Sequence, residues 1–347
     1  MHGATVAYLL AALVAFGLSA ALVAPIAALQ RRAGLVAPNY CGDRVPAAGG
    51  VGVALAVLGC GPILLAAGAA GTAGAGAAPA ATALFALATM GFLGLLDDVA
   101  GGGPRGFGGH FGALFTRARV GTRVGTGVLR AAWGGATALA CALVAHRNPL
   151  DIALAALAAA LAFNLVNLLD TRPGRAGKGY LAAVAVLVLA RLARLLYLAG
   201  PHSVAALPAG ATAAGPLVGV LGASALLPFL PADLAGRAML GNAGSGALGA
   251  ALGVALAWTA GRALLAFAVV AMAALHVFGE RRSLGALIER TPVLRWIDGL
   301  GRGARPTRTP ECPGDVRPTA PVAPRHRENS PCPDPASRKG VCREGGE

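Results

Sequence analysis

Ala-Thr-Ala-Leu-Phe-Ala-Leu-Ala-Thr-Met-Gly-Phe-Leu-Gly-Leu-Leu-Asp-Asp, residues 81–98, is an apolar run that stops on two adjacent carboxylates. A helix needs ~20 mostly apolar residues to cross ~30 Å of hydrocarbon, so this run reads as a membrane span. Asp97 and Asp98 then sit where the span meets water. Neighbouring anionic side chains repel, and a cost of that kind marks a bound cation or another functional charge.

Working outward from this run, the same pattern repeats along the chain. Hydrophobic residues make up 56% of the 347-residue sequence and charged residues 13%, with the charges collected between long apolar blocks. About nine such blocks precede residue 280: 4–29, 50–69, 80–96, 124–145, 150–169, 179–199, 211–230, 243–259 and 261–278. The expected fold is an all-α polytopic membrane protein with about nine transmembrane helices. No basic residue precedes the first block and Arg31 and Arg32 follow it, so it reads as a retained anchor with its N-terminus outside.

Alternate threading sends Arg31, Arg32, Arg44, Arg105, Arg117, Arg119, Arg123, Arg172, Arg175, Lys178, Arg237, Arg281 and Arg282 to one side, and only Arg147 and Arg262 to the other. By the positive-inside rule the first side is cytoplasmic, which also places the C-terminus there. The formal charge of +14 is therefore mostly topological bias plus a basic tail. It does not indicate nucleic-acid binding, since the basic loops lack stacking aromatics and no soluble reading module is present.

Three regions are expected: a transmembrane domain over 1–280, an interfacial amphipathic segment over 281–302 broken at Pro292, and a disordered basic, Pro-rich cytoplasmic tail over 303–347. The stretch Gly68–Ala80 reads as a short outside loop. The six cysteines follow no metal-binding spacing and read as free thiols. Arg191 and Arg194, inside the sixth apolar block, read as snorkelling or helix-pairing cations.

Four segments on the cytoplasmic side carry the chemistry. Arg44–Gly50 contains a proline and paired glycines ahead of the second block. Gly91–Asp98 brings the acidic pair and its arginine-rich loop. Asn164, Asn167 and Asp170 lie on one helical face that runs to the membrane edge. Pro231–Gly249 contains a Gly-Asn-Ala-Gly-Ser stretch that would present backbone N–H groups to an anion at a helix start.

In this order the segments resemble the polyprenyl-phosphate N-acetylhexosamine-1-phosphate transferases, the superfamily of the phospho-N-acetylmuramoyl-pentapeptide transferase. Pro46–Gly50 matches its P-x-x-G-G loop, Phe92–Asp98 its F-L-D-D run, Asn164–Gly174 its N-x-x-N-x-x-D-G-x-x-G run and Pro231–Ser245 its P-A … M-G-D-x-G-S run. The resemblance implies transfer of a sugar-1-phosphate from a UDP-sugar to a polyprenyl phosphate at a bacterial cytoplasmic membrane, with release of UMP. It also implies a Mg²⁺ cofactor, with Mn²⁺ as the substitute ion. A homodimer is a compatible assembly.

Under that resemblance Asp97, Asp98 and Asp170 are the catalytic candidates, and Asp97, Asp98 and Asn242 the metal candidates. Asn164, Asn167, Arg117, Arg119, Arg123, Arg175, Lys178, Gly244 and Ser245 are the candidates for substrate and phosphate binding. Asn242 stands where the family has a metal-binding acid, Pro173 replaces a second acid, and His276 stands alone where the family has a histidine-rich loop. The alternative these departures favour is a non-catalytic relative that binds a polyprenyl phosphate or an envelope-assembly partner; a transporter is the weaker third reading.

Overall fold

The computed structural model describes residues 2–70, 77–100, 126–198 and 211–302. The loop carrying Arg105, Arg117, Arg119 and Arg123, and the tail from residue 303, lie outside the described residues.

The apolar blocks form helices because a backbone within hydrocarbon must satisfy its own N–H and C=O groups. In chain order these are α1 (His2–Arg32), α2 (Val51–Gly59), α3 (Gly61–Ala70), α4 (Ala77–Ala100), α5 (Thr126–Ala145), α6 (Pro149–Leu169) and α7 (Arg175–Leu198). There follow α8 (Ala211–Leu226), α9 (Leu230–Leu234), α10 (Gly241–Thr259), α11 (Arg262–Arg281), α12 (Leu284–Arg290) and α13 (Pro292–Gly299). Two short strands, β1 (Val36–Pro38) and β2 (Arg44–Pro46), pair antiparallel between α1 and α2, with Val36 opposite Pro46. The loop expected over Gly68–Ala80 is shorter than its Gly/Ala composition suggested, since α3 runs to Ala70 and α4 begins at Ala77.

Among the described residues, seven helical segments are long and apolar enough to cross a membrane: α1, α2 and α3 together, α4, α5, α6, α7 and α11. Two of the nine expected spans fall short. The block at 211–230 becomes α8, whose 16 residues rise only ~24 Å against ~30 Å of hydrocarbon. The block at 243–259 becomes α10, where five glycines, Asn242 and Ser245 dilute the apolar character.

The position of α10 explains its composition. Every residue from Ala243 to Thr259 is buried, so its surface meets other helices and needs smallness more than apolarity. α10 runs antiparallel to α4, α6 and α8: Asn242 meets Gly94 and Gly246 meets Met90, Gly249 and Gly253 lie against Phe163, and Thr259 meets Gly215. A Cβ on Gly94 would collide with the Asn242 carbonyl, so α4 and α10 can approach this closely only with glycine there. Trp258 Nε1 donates to Cys141 O at 2.8 Å, tying α10 to α5.

This antiparallel packing sorts the helix ends. One end of the bundle gathers the start of α2, the ends of α4, α6 and α8, and the starts of α7 and α10. The opposite end gathers the close of α5 and α10 and the starts of α6 and α11. Beyond α11, α12 and α13 meet at Thr291, where Pro292 opens the second helix because its missing N–H is not needed in a first turn.

Candidate functional site

The start of α10 is the centre of the first end. Its leading N–H groups have no intrahelical partner and carry partial positive charge, so they need acceptors. Asp98, at the last turn of α4, supplies both carboxylate oxygens: Oδ1 accepts from Asn242 N at 2.9 Å and Oδ2 from Ala243 N at 3.0 Å. Asp170, the C-cap of α6, supplies another: its Oδ2 accepts from Gly241 N at 3.1 Å. The helix start expected to attract an anion thus holds two carboxylates of the protein itself.

The Pro46–Gly50 loop closes the opposite flank. Gly49 N donates to Met239 O, Gly50 N donates to Leu240 O and Met239 N donates to Pro46 O, all between 2.8 and 2.9 Å. Gln30 clamps this loop from α1, its amide donating to Ala48 O at 2.6 Å and accepting from Ala48 N at 3.2 Å. Gly241 sits between the two walls at φ +71°, a left-handed backbone that glycine adopts without cost; a Cβ there would strike Ala47 O. Asn167 Oδ1 accepts from Ser245 Oγ at 3.2 Å, and Gly244 packs on Gly50. Asn164, one turn earlier, is half-buried and makes no side-chain hydrogen bond among the described residues.

All four segments singled out in the sequence therefore meet at this one place. The side chains within them have unequal freedom. Asn242 turns its amide nitrogen to Asp98 Oδ1 at 2.9 Å, so this neutral residue acts as a hydrogen-bond donor to the acidic pair. Asp97 faces Arg130 on α5, 3.6 Å from Nη1. Arg130 is only 6% exposed, and among the described residues its Nε and Nη2 have no hydrogen-bond partner. A buried guanidinium with two idle donors can still take an acceptor oxygen.

Two phosphate candidates are already engaged. Arg175 is 6% exposed and grips Asp298 of α13 with two parallel bonds, Nε to Oδ1 at 3.0 Å and Nη2 to Oδ2 at 2.9 Å. Its Nη1 donates to Thr171 Oγ1 at 2.8 Å. Lys178 donates to the carbonyls of Ile297, Asp298 and Leu300. Arg302 adds a further bond to Asp298 Oδ1 at 2.9 Å, so three cations dock the last helix here. Burial opposes the charge of Asp298, but Arg175 and Arg302 outweigh it and hold the carboxyl below its ordinary value.

Asp170 and Asp233 show the opposite balance. Burial, then the neighbouring charges of Asp233 and Asp98, push Asp170 up to about 8. Asp233, 3% exposed on α9, is raised to about 6 by burial, held back by the N–H of Gly174 and by the charges of Arg302 and Lys178.

Sequence reasoning missed Arg130 and Asp233. A charge inside the apolar block 124–145 was a signal for the first. For the second, only an acid beside Pro231 was visible, and its burial depends on chain segments far apart in sequence.

The donor chemistry suits a hard divalent cation in part. Asp97, Asp98, Asp170 and the Asn242 amide offer only oxygen ligands, the kind Mg²⁺ takes. Among the described residues, no group of three or more His, Cys, Asp or Glu side chains could hold a metal ion. An ion here would use one or two carboxylates and complete its shell with substrate phosphates and water, the ordinary pattern for Mg²⁺. No family model matches the chain, and no curated protein matches it.

Proposed function

We propose that the protein transfers a sugar-1-phosphate from a UDP-sugar to a polyprenyl phosphate, releasing UMP, as a multi-pass protein of a bacterial cytoplasmic membrane. The observation that carries this reading is the convergence of the four family-like segments around the start of α10, with Arg130 holding idle donors next to Asp97. Antiparallel packing brings these helix ends to one side of the bundle, and the polar groups of the four segments bond one another there.

In the proposed reaction an oxygen of the lipid phosphate attacks the β-phosphorus of the UDP-sugar. The bond from that phosphorus to the bridging oxygen breaks, and UMP leaves with the electron pair. Arg130 would neutralise phosphoryl oxygens, with Asp97 keeping the guanidinium oriented. Asn167 of α6 and Ser245 of α10, already bonded to each other across the two helices, would position polar groups of the nucleotide or sugar. Mg²⁺, held by Asp97, Asp98 and the Asn242 oxygen together with substrate phosphates, would offset charge between the two phosphates. The arginine-rich end faces the cytoplasm under the positive-inside rule, where UDP-sugars are available.

A second reading has its own observation. Asn242 gives Asp98 a neutral amide donor, and the α10 N–H groups bond both oxygens of that carboxylate, so it has partners within the protein. That arrangement suits a relative that binds a polyprenyl phosphate without reacting it. One experiment separates the two: purified protein with polyprenyl phosphate, Mg²⁺ and a panel of UDP-sugars, scored for UMP. Release with any donor supports the transferase. Retention of polyprenyl phosphate with no release from any donor supports the binding protein.

A further inference from the structure

At the opposite end of the bundle, about as far from Asp98 as the helices allow, the close of α5 and α10 and the start of α11 enclose a cleft of about 380 Å³ with a wall of α7. Its charged lining is Arg191, Arg194 and Arg262 against a single carboxylate, Asp151, with His146 beside them. Asp151 is committed to Arg262, which holds it with Nε at 2.7 Å and Nη2 at 3.0 Å. His146 Nε2 donates to Ala257 O at 2.8 Å, the polarity a carbonyl acceptor requires.

Arg191 and Arg194 have no such partner. Neither makes an ion pair or a hydrogen bond among the described residues, and at i and i+3 on α7 they share one face and repel. Both line one cleft at this end of α7. Arg194 Nη1 lies 3.9 Å from the position of a Cβ on Gly261, the N-cap of α11. That N-cap makes no side-chain cap bond, so the first turn of a 20-residue helix opens beside Arg194. Cations without counter-charges and an uncapped helix start both favour an anion.

We infer that this cleft binds a phosphate-bearing anion, at a site separate from the candidate reaction centre. Phosphate matches the planar donor forks of two arginines and accepts N–H groups from a helix start. The cleft has room for a headgroup as well as a phosphate. The anion could reach it as the headgroup of a membrane lipid or as free phosphate or pyrophosphate, and the recognising chemistry is the same.

The test compares the wild-type chain with Arg191→Gln/Arg194→Gln and with Arg281→Gln/Arg282→Gln, which removes equal charge at the other end of α11. Titration with inorganic phosphate and pyrophosphate in detergent forms one arm. The other measures phosphatidylglycerol against phosphatidylcholine retained in nanodiscs by native mass spectrometry. The expected result is binding in at least one arm, weakened roughly tenfold or more by the first double variant and unchanged by the second. Binding in the lipid arm alone identifies a headgroup; binding in both identifies phosphate itself. No binding to the wild type in either arm, or equal loss in the two double variants, overturns the inference. Should the first double variant misfold, Arg194→Gln at its exposed position carries the same comparison.

Discussion

Asp98 and Asn242 are bonded through one oxygen and one amide nitrogen, and this contact decides how the acidic pair responds to substitution. Asn242→Asp removes the donor and sets two carboxylates face to face. Losing a hydrogen bond to a charged group costs about 1.5–3 kcal/mol, and repulsion adds to it. The variant should melt below the wild type in chelator and recover as Mg²⁺ is added, while Asn242→Ala should lose stability without gaining a Mg²⁺ response. Equal melting of Asn242→Asp with and without Mg²⁺ would remove position 242 from any metal site. Asp98→Asn is expected to lower both UMP release and stability, because the same carboxylate caps α10. Asp170 and Asp233 give a pH dependence of known sign. Their folded values, about 8 and about 6, lie above the unfolded carboxylate value of about 4, so their contribution is fully present below about pH 4 and is lost as pH rises through 6 and then 8. Melting temperature should fall across that window. Asp170→Asn, which keeps an acceptor for Gly241 N–H, should flatten the upper part of the fall; an unchanged slope would show that Asp170 does not titrate there.

At the scale of elements, α13 is fastened by a buried ion pair and leaves its apolar side open. Trp296 is 67% and Val293 64% exposed, and Leu294 and Ile297 accompany them, an apolar surface of the kind a helix presents to a membrane interface. Asp298→Ala would leave Arg175 buried without its counter-charge, a loss of about 3–5 kcal/mol for a pair of this kind. The expected outcome is faster proteolysis within residues 284–302 and a lower melting temperature. Protease resistance equal to the wild type would mean that membrane contact, and not Arg175, holds α13. The exposed apolar side of this segment was legible in its spacing of Leu, Ile and Trp among arginines. Its partner was not, because Arg175 and Asp298 are separated by 123 positions and each alone looks like a surface charge.

For the whole molecule the testable consequence is orientation. Cysteine labelling in cells should find residues 104–123 and the tail beyond Gly303 accessible from the cytoplasm, and Asn148 accessible from outside. A tail labelled from outside would mean that the span count is wrong by one, since an odd number of membrane crossings would no longer hold. α8 and α10 decide that parity together: both must cross, or neither.

The sequence by itself determined that the chain is a helical membrane protein, because long uncharged runs can satisfy their backbone within hydrocarbon only as helices. It also marked the four segments that meet at the start of α10, since polar groups at the ends of apolar runs are costly and stand out. Tertiary structure alone decided which of those groups are free. Asp98, Arg175 and Lys178 are taken up by helix termini and by Asp298, whereas Arg130 keeps idle donors. It also decided that a glycine-rich run weak in apolar residues occupies the centre of the bundle. Periodicity and hydropathy describe how a segment meets its solvent, and α10 has no solvent other than its neighbouring helices.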